Sequence, residues 1–116
     1  MLSAPIVHFE IGSKDSAALA KFYGDVLGWT FLPAGPAQVV DTGGASPTGM
    51  LNALGHPPDN YVLIYAEVND IEAAIARAVE AGGSKIVGPG PLPDGRRFAW
   101  IRDTAGNVLA LLTPKP

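Results

Sequence analysis

Twice in this chain the hydrophobic period changes from two to about 3.6 residues, at corresponding places, and this double change limits the possible folds more than any other feature. Ile6 to Trp29 reads IVHFEIGSKDSAALAKFYGDVLGW, an alternating strand running into a helix-spaced stretch that stops at Gly28. Val62 to Ser84 reads VLIYAEVNDIEAAIARAVEAGGS and makes the same change, with Asp70 standing 55 positions after Asp15 and glycine again at the stop. The chain is therefore expected to be a duplication. With 116 residues there is room for one compact domain, so the two copies must share a core.

In the first copy Val7, Phe9 and Ile11 fall on one side of a strand, leaving His8 and Glu10 on the other. Asp15 caps the helix, and Ala18, Leu19, Phe22, Tyr23, Val26 and Leu27 form the stripe expected to face the sheet. Strands follow at Trp29 to Leu32, Gln38 to Thr42 and Gly49 to Leu54, with Pro33 to Pro36 as a turn and Gly43 to Pro47 as a loop. Gly55 to Asn60, GHPPDN, is the linker, since tandem prolines cannot donate to a sheet. In the second copy Val62, Ile64, Ala66 and Val68 are expected under the helix and Leu63, Tyr65 and Glu67 opposite. Asp70 caps a helix with the stripe Ile71, Ala74, Ile75, Ala78 and Val79. Lys85 to Val87 is a short strand, Gly88 to Gly95 a long loop of the kind that serves as a lid or a partner contact, and Arg97 to Arg102 with Val108 to Leu112 a hairpin turning at Asp103 to Asn107.

The expected architecture is α+β: two βαβββ modules, about residues 5–54 and 61–113, joined by the linker 55–60. Their helices lie outside a curved mixed sheet whose other face forms a trough. Apolar residues make up 47% and charged residues 16% of the chain, so some apolar surface is expected to be covered by a partner chain. The net charge of -3 has no basic run, which argues against nucleic acid. No apolar run spans a membrane and the N-terminus has no secretion-signal pattern, so a cytoplasmic location is expected. Absence of cysteine removes thiolate and disulfide chemistry.

The fragments His8-Phe9-Glu10-Ile11, Asp15, Phe22-Tyr23, Val26-Leu27-Gly28-Trp29, Val68-Asn69-Asp70 and Arg102-Asp103-Thr104-Ala105-Gly106-Asn107 occur in an order that resembles the vicinal oxygen chelate superfamily. That group includes glyoxalases, extradiol dioxygenases, fosfomycin-modifying enzymes and bleomycin-binding resistance proteins. The resemblance covers nearly the whole chain and implies a site in the trough and a homodimer. Its metalloenzymes place a histidine on the first strand, a carboxylate or histidine on the fourth, a histidine on the fifth and a glutamate on the eighth. Only His8 matches; Leu63 stands at the fifth-strand position, Ala110 near the eighth, and Met50, Leu51 and Asn52 are what the fourth strand offers. No metal and no cofactor are expected in the usual place.

Trp100 stands where family members often put an aromatic into the pocket, sharing a strand face with Phe98 and Arg102, with Tyr65 expected from the facing half. The ligand-contacting set is therefore His8, Glu10, Met50, Tyr65, Phe98 and Trp100. Arg96 and Arg97 have the planar donors of an anion clamp, but as a loop end they are better explained by solvation, and His56 is a linker residue. The expected function is metal-free binding of an apolar or aromatic small molecule. The alternative is a lyase or isomerase in which His8 and Glu10 move a proton beside a carbonyl, with or without a divalent metal. A third possibility is a dimerisation domain whose trough its own side chains fill.

Overall fold

A computed structural model describes residues 3–45 and 47–116. Met1, Leu2 and the Ser46 position of the expected Gly43 to Pro47 loop lie outside the described residues. The chain divides into two compact units, one of residues 7–63 and one of residues 64–116 together with the residues preceding Val7. Each repeats strand, helix and three strands, the α+β duplication expected from the sequence.

The first unit holds β1 (Ile6–Gly12), α1 (Ser16–Leu27), β2 (Thr30–Ala34), β3 (Ala37–Asp41) and β4 (Thr48–Asn52). Its strand order is β2-β3-β4-β1, with β1 parallel to β4 and the other neighbours antiparallel. Asp15 caps α1 by accepting from the Ala18 amide at 3.1 Å, and Gly28 ends it in the left-handed region at φ 73°. Phe9, Tyr23 and Trp29 pack ring against ring, which fixes the odd-numbered β1 side chains on the helix side. Phe9's ring also needs Gly49 beside it, since a Cβ there would overlap it.

The second unit holds most of β5 (Tyr61–Glu67), then α2 (Ile71–Glu80), β6 (Ser84–Pro91), β7 (Arg97–Arg102) and β8 (Val108–Leu112), ordered β5-β8-β7-β6. β5 runs parallel to β8, and β7 is antiparallel to β8 and β6. Ala66, Ile71, Ala99 and Leu111 are buried together, with Val68, Ala74, Ile75, Ile101 and Leu109 packed against them. Asp103 accepts from the backbone amides of Ala105 and Asn107, both at 2.9 Å, and so builds the β7 to β8 turn. Those amide bonds, Asn107's first, hold its carboxyl below the usual carboxylate range. The Asp70 cap of α2 accepts from the Ala73 amide at 3.0 Å. Asp70→Ala should therefore cost about 1 kcal/mol in urea unfolding, a typical value for a lost cap.

Several expectations need correction, among them Val79, expected on the buried stripe of α2 but 54% exposed because the sheet covers only part of that stripe. Phe22, Val26 and Leu27 are more than half exposed, so the helix side of the first unit is made by Leu19, Tyr23 and the sheet, not by the whole apolar stripe of α1. Val62 and Ile64 are likewise exposed, because they precede the part of β5 that α2 covers. The proline and glycine run is not a lid: β6 continues to Pro91 with two register shifts, and the Leu92 amide bonds to the Arg96 carbonyl at 2.8 Å to close a tight turn. An outer strand tolerates the missing proline donors, and Gly88, at φ 83°, lies where any Cβ would crowd the Phe98 carbonyl. No helix among the described residues is long and apolar enough to cross a membrane.

Candidate functional site

His8, Glu10 and Gly12 follow one another on the face of β1 turned away from α1. Parallel register sets Thr48, Met50 and Asn52 of β4 beside them on that face. His8 Nδ1 lies 2.6 Å from Thr48 Oγ1, and the Thr48 hydroxyl is 3.3 Å from the Val7 carbonyl. A hydroxyl has one proton. That proton serves either the Val7 carbonyl or His8 Nδ1, and Thr48 thereby ties the His8 ring to the β1 backbone.

Glu10 is 2% exposed, an unusual position for a carboxylate. Its Oε2 accepts from the Tyr61 hydroxyl and, at 3.2 Å, from Asn52 Nδ2. The Asn52 amide is oriented by its other end, where Oδ1 accepts from the Ala53 amide at 2.9 Å. Tyr61 reaches Glu10 by laying its ring over Gly12, where a Cβ would overlap the ring carbons. Glycine is required at that position by space, not by backbone conformation.

Burial raises the Tyr61 phenol well above its ordinary value of 10.0, and the hydrogen bond to Glu10 and that group's charge push the same way. The folded state thus keeps a proton that the unfolded chain gives up near pH 10. Stability from this pair is complete below that value and is lost as pH rises above it. Urea midpoints of the wild type should fall from pH 9.5 upwards more steeply than those of Tyr61→Phe.

Of the residues the sequence singles out, His8, Glu10 and Met50 are brought onto one face of the first unit. Tyr65, Phe98 and Trp100 are brought onto one face of the second. Tyr65 and Trp100 flank Ala110 of β8, while Phe98 is opposite Leu112. Tyr65 therefore belongs to the same sheet as Trp100, two strands away, because β8 inserts between β5 and β7. Arg96 pairs with Asp94 and Arg97 with Glu72, each at 2.8 Å, and His56 bonds to the Pro57 carbonyl. A separate open depression of about 300 Å³ lies between β2 and β3, lined by Thr30, Phe31, Leu32, Val39, Val40 and Asp41. None of the expected site residues lines it.

Tyr61, Asn52, Gly12 and Thr48 were not legible as site residues. Strand alternation carries Gly12 onto the face of His8 and Glu10, and that signal was available. Tyr61 was hidden because it directly follows the linker.

The model of the Glyoxalase/Bleomycin resistance protein/Dioxygenase superfamily matches residues 5–111. The chain belongs to this superfamily. CFP32 of Mycobacterium tuberculosis (strain CDC 1551 / Oshkosh), which carries a glyoxylase name, is 33% identical over 108 residues, covering 89% of this chain and 41% of that protein. The chain thus spans less than half the length of that curated relative. A glyoxylase-like domain-containing protein of Didymella fabae is 29% identical over 126 residues, covering 97% of this chain and 96% of that one. Methylmalonyl-CoA epimerase from Mycobacterium tuberculosis has the same fold, with a TM-score of 0.70, 17% identity and coverage of 100% and 94% of the two chains.

The donor positions of the superfamily's metalloenzymes are poorly served here. Leu63 is 2% and Ala110 0% exposed, and neither side chain has a donor atom. Asn52 is committed to Glu10 and the Ala53 amide. Among the described residues no three His, Asp or Glu side chains come together as a metal site would require. The residues present do not fit the glyoxalase superfamily's metal.

Proposed function

We propose that the chain is a metal-free small-molecule binding protein of the glyoxalase/bleomycin resistance type, with an apolar or aromatic ligand held by its non-helical sheet faces. The observation that carries this is the replacement of metal donors by the buried Leu63 and Ala110. Tyr65, Phe98 and Trp100, on one face of the second unit, supply the aromatic contacts. On the first unit, His8, Glu10 and the Met50 thioether share the face turned away from α1. The chain works as a homodimer, a state supported by the exposure of Phe22 (56%), Val26 and Leu27 on α1.

Binding of 2-naphthol, followed by tryptophan fluorescence in the presence of EDTA, tests the proposal. Saturable binding that Trp100→Leu weakens by about tenfold, or roughly 1.4 kcal/mol, is expected. Binding that disappears with the chelator would sink it. Sedimentation at micromolar concentration should give a dimer.

A second reading, a lyase or isomerase, is favoured by one observation: a nearly inaccessible carboxylate bonded to a phenol is an arrangement that can move protons. It predicts solvent deuterium exchange beside the carbonyl of a 2-oxoacid, abolished in Glu10→Gln.

A further inference from the structure

Resting on the homodimer just proposed, α1 indicates where the second copy sits. Ala18, Phe22 and Val26 recur at a spacing of four and form one exposed row on its outer side, with Phe22 56% and Val26 59% exposed. The Phe22 ring is held in place there. It meets Tyr23 edge-on at 5.2 Å between centroids, and Tyr23 stacks on Trp29 at 5.3 Å. A ring already fixed at the surface has little freedom left to lose when a partner covers it.

The duplicated helix shows what an outer side facing water carries at the same places. Counting from the caps Asp15 and Asp70, Arg77 stands where α1 has Phe22, Glu80 where it has Asp25 and Ala81 where it has Val26, and all three are exposed. Of the two helices, α1 alone turns an aromatic ring outward. Read in the reverse chain direction, its row becomes Val26, Phe22, Ala18. Two copies crossing antiparallel over a two-fold axis at Phe22 therefore set ring on ring at the centre and the small Ala18 against the larger Val26 at both ends. Lys21 and Asp25, paired at 2.8 Å, flank the row on one edge, and in this arrangement each Lys21 is also within reach of the second copy's Asp25. We infer that the partner of this surface is a second copy of the chain, docked α1 on α1 in an isologous antiparallel contact. The apolar row supplies the affinity, and the charged edge sets the direction.

Sedimentation at micromolar concentration and neutral pH, joined to disulfide trapping, tests this. Phe22→Glu is expected to raise the dimer Kd at least about a hundredfold, because two rings are lost and two carboxylates meet at the axis. Lys21→Asp and Asp25→Lys should each dimerise about tenfold more weakly, and an equal mixture of the two should return to within about threefold of the wild type. The chain has no cysteine, so introduced thiols report cleanly. A mixture of Ala18→Cys and Val26→Cys should form an interchain disulfide at least about tenfold faster than either variant alone, whose own thiols would be about 12 Å apart along the helices. This mild pair of substitutions decides the matter if Phe22→Glu does not fold. Unchanged affinity in Phe22→Glu, a charge mixture no tighter than its components, or equal trapping in Ala18→Cys alone would overturn the inference while leaving the homodimer standing. A monomeric wild type would overturn the homodimer and the inference together.

Discussion

Gly12→Val is expected to destabilise the protein by about 3 kcal/mol or more, the combined scale of overpacking and of leaving a buried polar group without its partner. The valine Cβ would occupy the position of the Tyr61 ring, so the ring must move. Gly12 lies within β1 and Tyr61 opens β5. Displacing the ring also removes the hydroxyl from Glu10, a carboxylate with almost no access to water. A coupled pair should show it: in a Tyr61→Ala background the cost of Gly12→Ala should shrink by about 1 kcal/mol or more. Equal costs in both backgrounds, measured by urea unfolding, would mean that the ring does not occupy that space.

Ile71→Ala should cost about 2–5 kcal/mol, within the range for emptying a core position. Ile71 is 1% exposed and its buried neighbours include Ala66 and Ala99, which are too small to fill the space left behind. Its place directly after the Asp70 cap also fixes where α2 meets the sheet. Val79→Ala, on the same predicted stripe but 54% exposed, should cost less than about 1 kcal/mol. Urea midpoints of the two variants check the contrast, and similar losses would mean that α2 is rotated about its axis.

This contrast also marks how far the sequence could be read. The caps Asp15 and Asp70, the stop at Gly28 and the turn at Asp103 are local chemistry, and each is found where residue type and spacing put it. The sheet faces of β1 and β7 followed from alternation alone. Phe22, Val26 and Val79 failed because periodicity marks an apolar stripe without saying how much of it the sheet can cover. The β6 strand failed because prolines and glycines at an outer, bulged strand look like a loop. In the candidate site, His8 and Glu10 were legible as a polar interruption on a strand. Tyr61 and Asn52 were not, since their bonds to Glu10 span 51 and 42 residues and depend on register. A local pattern holds no record of such pairings.

Elemental analysis of the protein purified without chelator, followed by calorimetric titration with zinc, manganese, nickel and ferrous ions, tests the central claim most directly. Donor-poor positions at Leu63 and Ala110 predict well under 0.1 ion per chain, on the order expected of adventitious binding, and no saturable heat at micromolar concentration. One ion per chain, lost on His8→Ala, would contradict it.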